Sequence, residues 1–152
     1  MQTAKFNMYK TKIFGSLVLT VMALLFCTSC SKSSDNDNLD EVIERLWNFA
    51  QKNPDGFTID IRTFQAPKEG IVVSYAATQN SFDKKDLRKV ISHAYFHANL
   101  VGGWLNDENK KYYFDSDTIF MESMLKEALE WGKKNNQQSV FILSEMKSID
   151  IK

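Results

Sequence analysis

Val101-Gly102-Gly103-Trp104-Leu105 and Lys111-Tyr112-Tyr113-Phe114-Asp115 decide the fold of this chain. They read as two strands joined through the polar turn Asn106-Asp107-Glu108-Asn109. Aromatic residues favour a pleated, half-buried surface, and Asn and Asp favour the turn between two such runs. Alternation along the second strand gives one face Tyr112 and Phe114 and the other Tyr113 and Asp115. With Tyr112 and Phe114 in the core, Tyr113 and Asp115 face out together as a candidate binding pair, although an aromatic-rich strand beside a turn can equally be plain structure. Gly102 and Gly103 inside the first strand weaken it and mark a bulge or a close backbone approach. Such a place admits a ligand, or lets a helix pack tightly on the sheet. Trp104, next to them, is either core or a binding platform.

The flanking segments supply helices and further strands. Leu39 to Lys52 places apolar residues at 39, 42, 43, 46, 47 and 50, the one-face spacing of an amphipathic helix. Asn53-Pro54-Asp55-Gly56 breaks it. Phe57 to Phe64 alternates and predicts a half-buried strand. Ala66 to Gly70 turns the chain, and Gly70 to Thr78 predicts a second strand. Asp83 is placed to cap a helix over Lys84 to Asn99, whose stripe is Leu87, Val90, Ile91, Ala94, Tyr95 and Ala98. Glu122 to Asn135 predicts a third helix, and Ser139 to Leu143 and Ser148 to Ile151 close the chain as strands. The order αββαββαββ predicts one small α+β domain over 39–152, with a mixed or antiparallel sheet and about three helices packed on it.

The first 29 residues have a different composition. Lys5, Lys10 and Lys12 precede Ile13 to Phe26, an uncharged apolar run, and the small residues Thr28 and Ser29 then precede Cys30. A basic start, an apolar centre and small residues at the cut describe an export signal. A membrane span needs ~20 apolar residues to cross ~30 Å of hydrocarbon, and Ile13 to Cys27 is a stretch of only fifteen residues. Cys27-Thr28-Ser29-Cys30 resembles the lipobox of bacterial lipoproteins, with Cys27 where Leu is usual. The resemblance implies a signal peptide over 1–29, lipidation at Cys30, and a protein held to the bacterial cell envelope, at the outer membrane, on its periplasmic or its surface side. Ser31 to Asn38 has no apolar residue, so 30–38 reads as a flexible tether. Its Ser and Asp residues also resemble the surface-export signal of some Gram-negative lipoproteins.

Charge and cysteine usage exclude several functions. The chain has 19 basic and 19 acidic residues; three basic ones precede Cys30, leaving 16 against 19 and a net −3 after cleavage. A mildly acidic domain is a poor general partner for nucleic acid, so none is expected. Both cysteines lie at or before Cys30. The domain beyond it therefore has no disulfide, no thiolate nucleophile and no Cys-bound zinc.

His93 and His97 are the two histidines, four apart on one helix face. That spacing can chelate a metal, but no third ligand is indicated and Ala94 stands where a zincin has Glu. An exposed polar helix face is the simpler expectation, with no metal and no cofactor. Tyr75, Thr78, Gln79 and Asn80 form another polar cluster at a strand end.

Ala77 to Phe82 (ATQNSF), the helix, Val101 to Trp104 (VGGW), Lys111 to Phe120 (KYYFDSDTIF) and Asn135 to Leu143 (NNQQSVFIL) together resemble a small uncharacterised domain of phage and mobile-element proteins. The resemblance covers about Gly56 to Ile151 and implies a fold without supplying a reaction or a catalytic residue. The expected function is a non-enzymatic protein-interaction module on a lipid tether, of immunity or exclusion type. Its binding candidates are Trp104, Tyr113, Asp115, Gly102 and Gly103. The alternative is a small hydrolytic enzyme acting on nucleic acid or nucleotide, with His93 or His97 as base and Asp115 or Arg62 assisting.

Overall fold

The computed structural model describes residues 34–151. The expected signal peptide, Cys27, Cys30 and the start of the tether lie outside the described residues. The chain forms a single α+β domain with three α-helices and a seven-stranded sheet. Helix α1 (Ser34–Lys52) is followed by β1 (Phe57–Asp60), β2 (Ile71–Ser74) and β3 (Ser81–Phe82). Then come α2 (Asp83–Tyr95), β4 (Leu100–Leu105), β5 (Tyr112–Phe120), α3 (Leu125–Lys134), β6 (Ser139–Ile142) and β7 (Lys147–Asp150). The strand order is β1-β4-β5-β2-β6-β7, with the short β3 added to β5, and every pairing is antiparallel.

β4 and β5 are the centre of the sheet, paired from Leu100↔Asp117 to Leu105↔Tyr112. The turn is held by Asn106, whose side-chain oxygen accepts the N–H groups of Glu108 (2.8 Å) and Asn109 (3.2 Å). β5 runs on past Asp115 to Phe120 because its far half has a second partner: Ser74↔Asp117 to Ile71↔Phe120 pair it with β2. Ser116 and Asp117 have low strand propensity, which hid this continuation in the sequence.

All three helices pack on one face of the sheet. Leu46 and Ala50 of α1 and Leu87, Val90, Ile91 and Ala94 of α2 meet Ile59, Val101 and Phe114 in one core. Ala128 of α3 meets Ile71, Val73, Val140 and Ile142 in a second. Tyr75 joins the two halves, with its ring 4.5 Å from His97 and 4.8 Å from Trp131.

Several element boundaries differ from the sequence expectation; α2 ends at Tyr95 rather than Asn99, and α3 starts at Leu125 after a 3-10 turn over Glu122–Met124. α1 begins at Ser34, within the stretch read as tether, because extending a packed helix costs far less than starting one. β1 stops at Asp60 rather than Phe64. The Asp60 carboxylate accepts the N–H groups of Arg62 and Thr63, and Phe64 adopts a φ of 57°, so a tight turn replaces the strand's last four residues. The second strand ends at Ser74, and Ala76–Thr78 is a single 3-10 turn. Asp83 does not cap α2: with a φ of 55°, its carboxylate accepts the N–H of Tyr112 at 3.1 Å. Asp86 accepts the N–H of Phe82 instead, at 2.7 Å.

Candidate functional site

Alternation along β4 and β5 sorts their side chains between two environments. Val101, Phe114 and Ser116 turn to the helices, while Gly102, Trp104, Tyr113, Asp115 and Asp117 line the opposite face. No helix among the described residues packs there. A groove of about 840 Å³ opens on that face. Its floor is Gly102, Asp115 and Asp117, and its rim includes Trp104, Lys68 and Phe141.

The rim at the hairpin end is aromatic. Trp104 is 45% exposed and stacks on Tyr113, with ring centroids 5.1 Å apart at 24°. The Tyr113 ring meets the edge of Phe82 at 4.8 Å, and Asn109 Nδ2 donates to its hydroxyl at 2.8 Å. These contacts fix the pair in one orientation while leaving half of the indole to solvent.

The two glycines serve different purposes. A Cβ on Gly102 would lie 2.5 Å from Asp117 Oδ2, so the missing side chain is what lets a carboxylate lie across β4. A Cβ on Gly103 would lie 2.7 Å from Phe114 Cδ1 and 2.8 Å from Phe57 Cζ. Both glycines line the groove, but the missing side chain of Gly103 makes room for two core rings, whereas that of Gly102 makes room for the Asp117 carboxylate.

The floor is electrostatically unusual. Asp117 is 2% exposed, and Ser74 Oγ donates to its Oδ1 at 2.7 Å. Burial pushes its pKa up to about 8, the Ser74 hydrogen bond opposes this, and the neighbouring Asp115 adds to it. Asp115 is half-buried; its Oδ1 is out of contact with solvent and has no hydrogen-bond partner among the described residues. Burial raises Asp115 to about 6, against a weaker opposing pull from Lys89 on α2. An unpartnered buried carboxylate oxygen is costly to keep.

The histidines stand elsewhere. Their rings stack at 4.0 Å and 10° on the helix side, and His93 Nδ1 shares a 2.6 Å hydrogen bond with the buried Ser116 Oγ. Burial, then His97 and Lys89, hold the His93 pKa below its ordinary value. Asp115, on the other face of β5, is separated from them by the sheet. Arg62 pairs with Asp60 of its own turn at 3.2 Å. The His, Asp115 and Arg62 groups that a hydrolytic centre would combine are thus not brought together. No cluster of three or more potential metal ligands occurs among the described residues.

The polar cluster at the end of β2 is a clamp between segments far apart in sequence. Gln79 Nε2 donates to the carbonyl oxygens of Asn135 (3.2 Å) and Asn136 (3.3 Å), and Asn135 Oδ1 accepts the N–H of Ala76 at 3.1 Å. The ATQN and NNQQ stretches therefore meet and tie the end of α3 to the sheet.

Asp117 and Ser74 did not stand out in the sequence. The signal for Asp117 was present: residues two apart on a strand share a face, so Asp115 and Asp117 had to lie together if β5 continued. Comparison of the chain with protein-family models, with curated proteins and with solved structures found no match.

Proposed function

We propose that this is a lipid-anchored envelope protein whose sheet face opposite the three helices recognises another protein without catalysing a reaction. The observation that carries the proposal is the exposed Trp104–Tyr113 stack beside a groove of about 840 Å³. Rigid aromatic rings flanking a concave surface are typical anchors of protein recognition. The export-like segment and Cys30 support a tether to the membrane, and the separation of His93 and His97 from Asp115 favours binding over hydrolysis. An immunity or exclusion protein, which captures one incoming factor, fits a small domain of this kind.

The test is site-specific photocrosslinking in the native envelope. A photoreactive residue at position 104 should give one dominant crosslinked protein, and the same residue at position 96, where Phe96 is 88% exposed on the helix side, should not. Identical capture from both positions, or none from position 104, would refute the assignment of this face.

A further inference from the structure

We propose that the end of the domain carrying Tyr95 and Phe96 rests on the lipid bilayer, with the Phe96 ring inserted among the headgroups. This rests on the lipid anchor proposed above and gives the domain an orientation on it. Tyr95, Phe96 and His97 are three consecutive exposed residues where α2 ends. Phe96, at 88%, is the most exposed large apolar side chain among the described residues.

The packing of α1 on α2 fixes where this ring lies relative to the start of α1. Lys84 pairs with Glu44, and Arg88, one turn further along α2, pairs with Asp40, one turn earlier on α1. The two helices are therefore antiparallel. From the Asp40–Arg88 pair, α1 runs back to Ser34 and α2 runs on to Tyr95, rises of about 9 Å and 10 Å. The first residue of α1 and the Tyr95–Phe96 step thus come out level, at one end of the domain. α2 starts at the opposite end, where Asp83 accepts the N–H of Tyr112 beside the β4–β5 turn.

Cys30 precedes Ser34 by four residues, a reach of at most about 14 Å. α1 itself has 19 residues and is about 28 Å long. A lipid on Cys30 therefore holds the Phe96 end, and not the β4–β5 turn, nearest the bilayer. These side chains also suit that medium. Transfer of a Phe side chain from water to an apolar medium is worth roughly tenfold or more in partitioning. Tyr is enriched at membrane–water boundaries, where both its ring and its hydroxyl are accommodated. Charge adds little. The turn after β1 reaches the same end, with Ile61 N–H donating to the Asn99 carbonyl oxygen at 2.9 Å, but its Arg62 is already paired with Asp60 at 3.2 Å. The contact is carried by the apolar ring.

The experiment places an aromatic photoreactive residue at position 96 or, as a control, at position 107, in the full chain expressed in the native envelope. The Asp107 side chain is 91% exposed in the β4–β5 turn, so neither replacement disturbs packing. Mass spectrometry of the purified protein reads phospholipid adducts, and fatty-acid labelling of Cys30 is measured on the same samples. We expect phospholipid adducts from position 96 and none from position 107. A protein adduct in place of a lipid adduct at position 96, or equal lipid adducts from both positions, would overturn the proposal. Labelled Cys30 without a lipid adduct at position 96 would leave the anchor intact and refute only the membrane contact. Lipid adducts at position 96 without labelling would refute the anchor and keep the contact.

Discussion

Replacing Asp117 with Asn should remove most of the protein's loss of stability between about pH 6.5 and pH 8. The folded-state pKa of Asp117 is raised to about 8 from an ordinary 3.8. Below the ordinary value both folded and unfolded chains hold the proton, and the neutral carboxyl contributes its full stability. Between the two values the unfolded chain has released the proton and the folded one keeps it. Each pH unit in that interval lowers the unfolding free energy by about 1.4 kcal/mol. Above about 8 both states are ionised and the loss is complete. Asp115 acts with the same sign but finishes near 6, and the lowered pKa values of His93, Asp60 and Glu122 act with the opposite sign at or below about 6.5. The interval from about 6.5 to 8 therefore isolates Asp117, and the wild type should lose about 2 kcal/mol across it. Asn keeps an oxygen for the Ser74 hydroxyl and carries no charge, so its profile should be nearly flat. Urea denaturation followed by tryptophan fluorescence at constant ionic strength measures both profiles. Parallel profiles for the two proteins would refute the burial of an uncompensated carboxylate at this position.

Gly103→Val should cost about 1–3 kcal/mol by overpacking against Phe114 and Phe57, read as a lower denaturation midpoint; an unchanged midpoint would show that the two rings yield freely. Trp104→Ala should lower the unfolding free energy by no more than about 1.5 kcal/mol, the worth of its stack on Tyr113, while abolishing partner capture, since the ring is half exposed and outside both cores. Cys30→Ala should yield a precursor that no longer labels with fatty acid, and Cys27→Ala should label normally; equal labelling of both would refute the anchor. A chelator should leave the melting midpoint unchanged, and a clear drop would point to a metal held by His93 and His97.

The hairpin at the centre of the sheet was legible because its information is local. Tyr112, Phe114 and the Asn106 turn specify alternation and reversal within about twenty residues. The same alternation placed Tyr113 and Asp115 on one face. The end of β1 was not legible in the same way. Ile61 and Thr63 continue the pattern of a strand, yet the Asp60 side chain captures two backbone N–H groups and closes a turn. Local hydrogen bonding outcompeted the sheet there.

Amino-acid sequence by itself determined the α+β class, the three amphipathic helices, the central strand pair and the acidic balance, all of which follow from periodicity, turn chemistry and composition. Tertiary structure decided which neighbours those residues have. Ser74 and Asp117 are 43 positions apart, and only the antiparallel pairing of β2 with β5 joins them. Gly102 and Gly103 are adjacent and identical in sequence, yet the pleat sends one toward a carboxylate and the other under two core rings. The raised pKa of Asp117 likewise exists only after neighbouring strands exclude water, because burial is a property of packing and not of the residue.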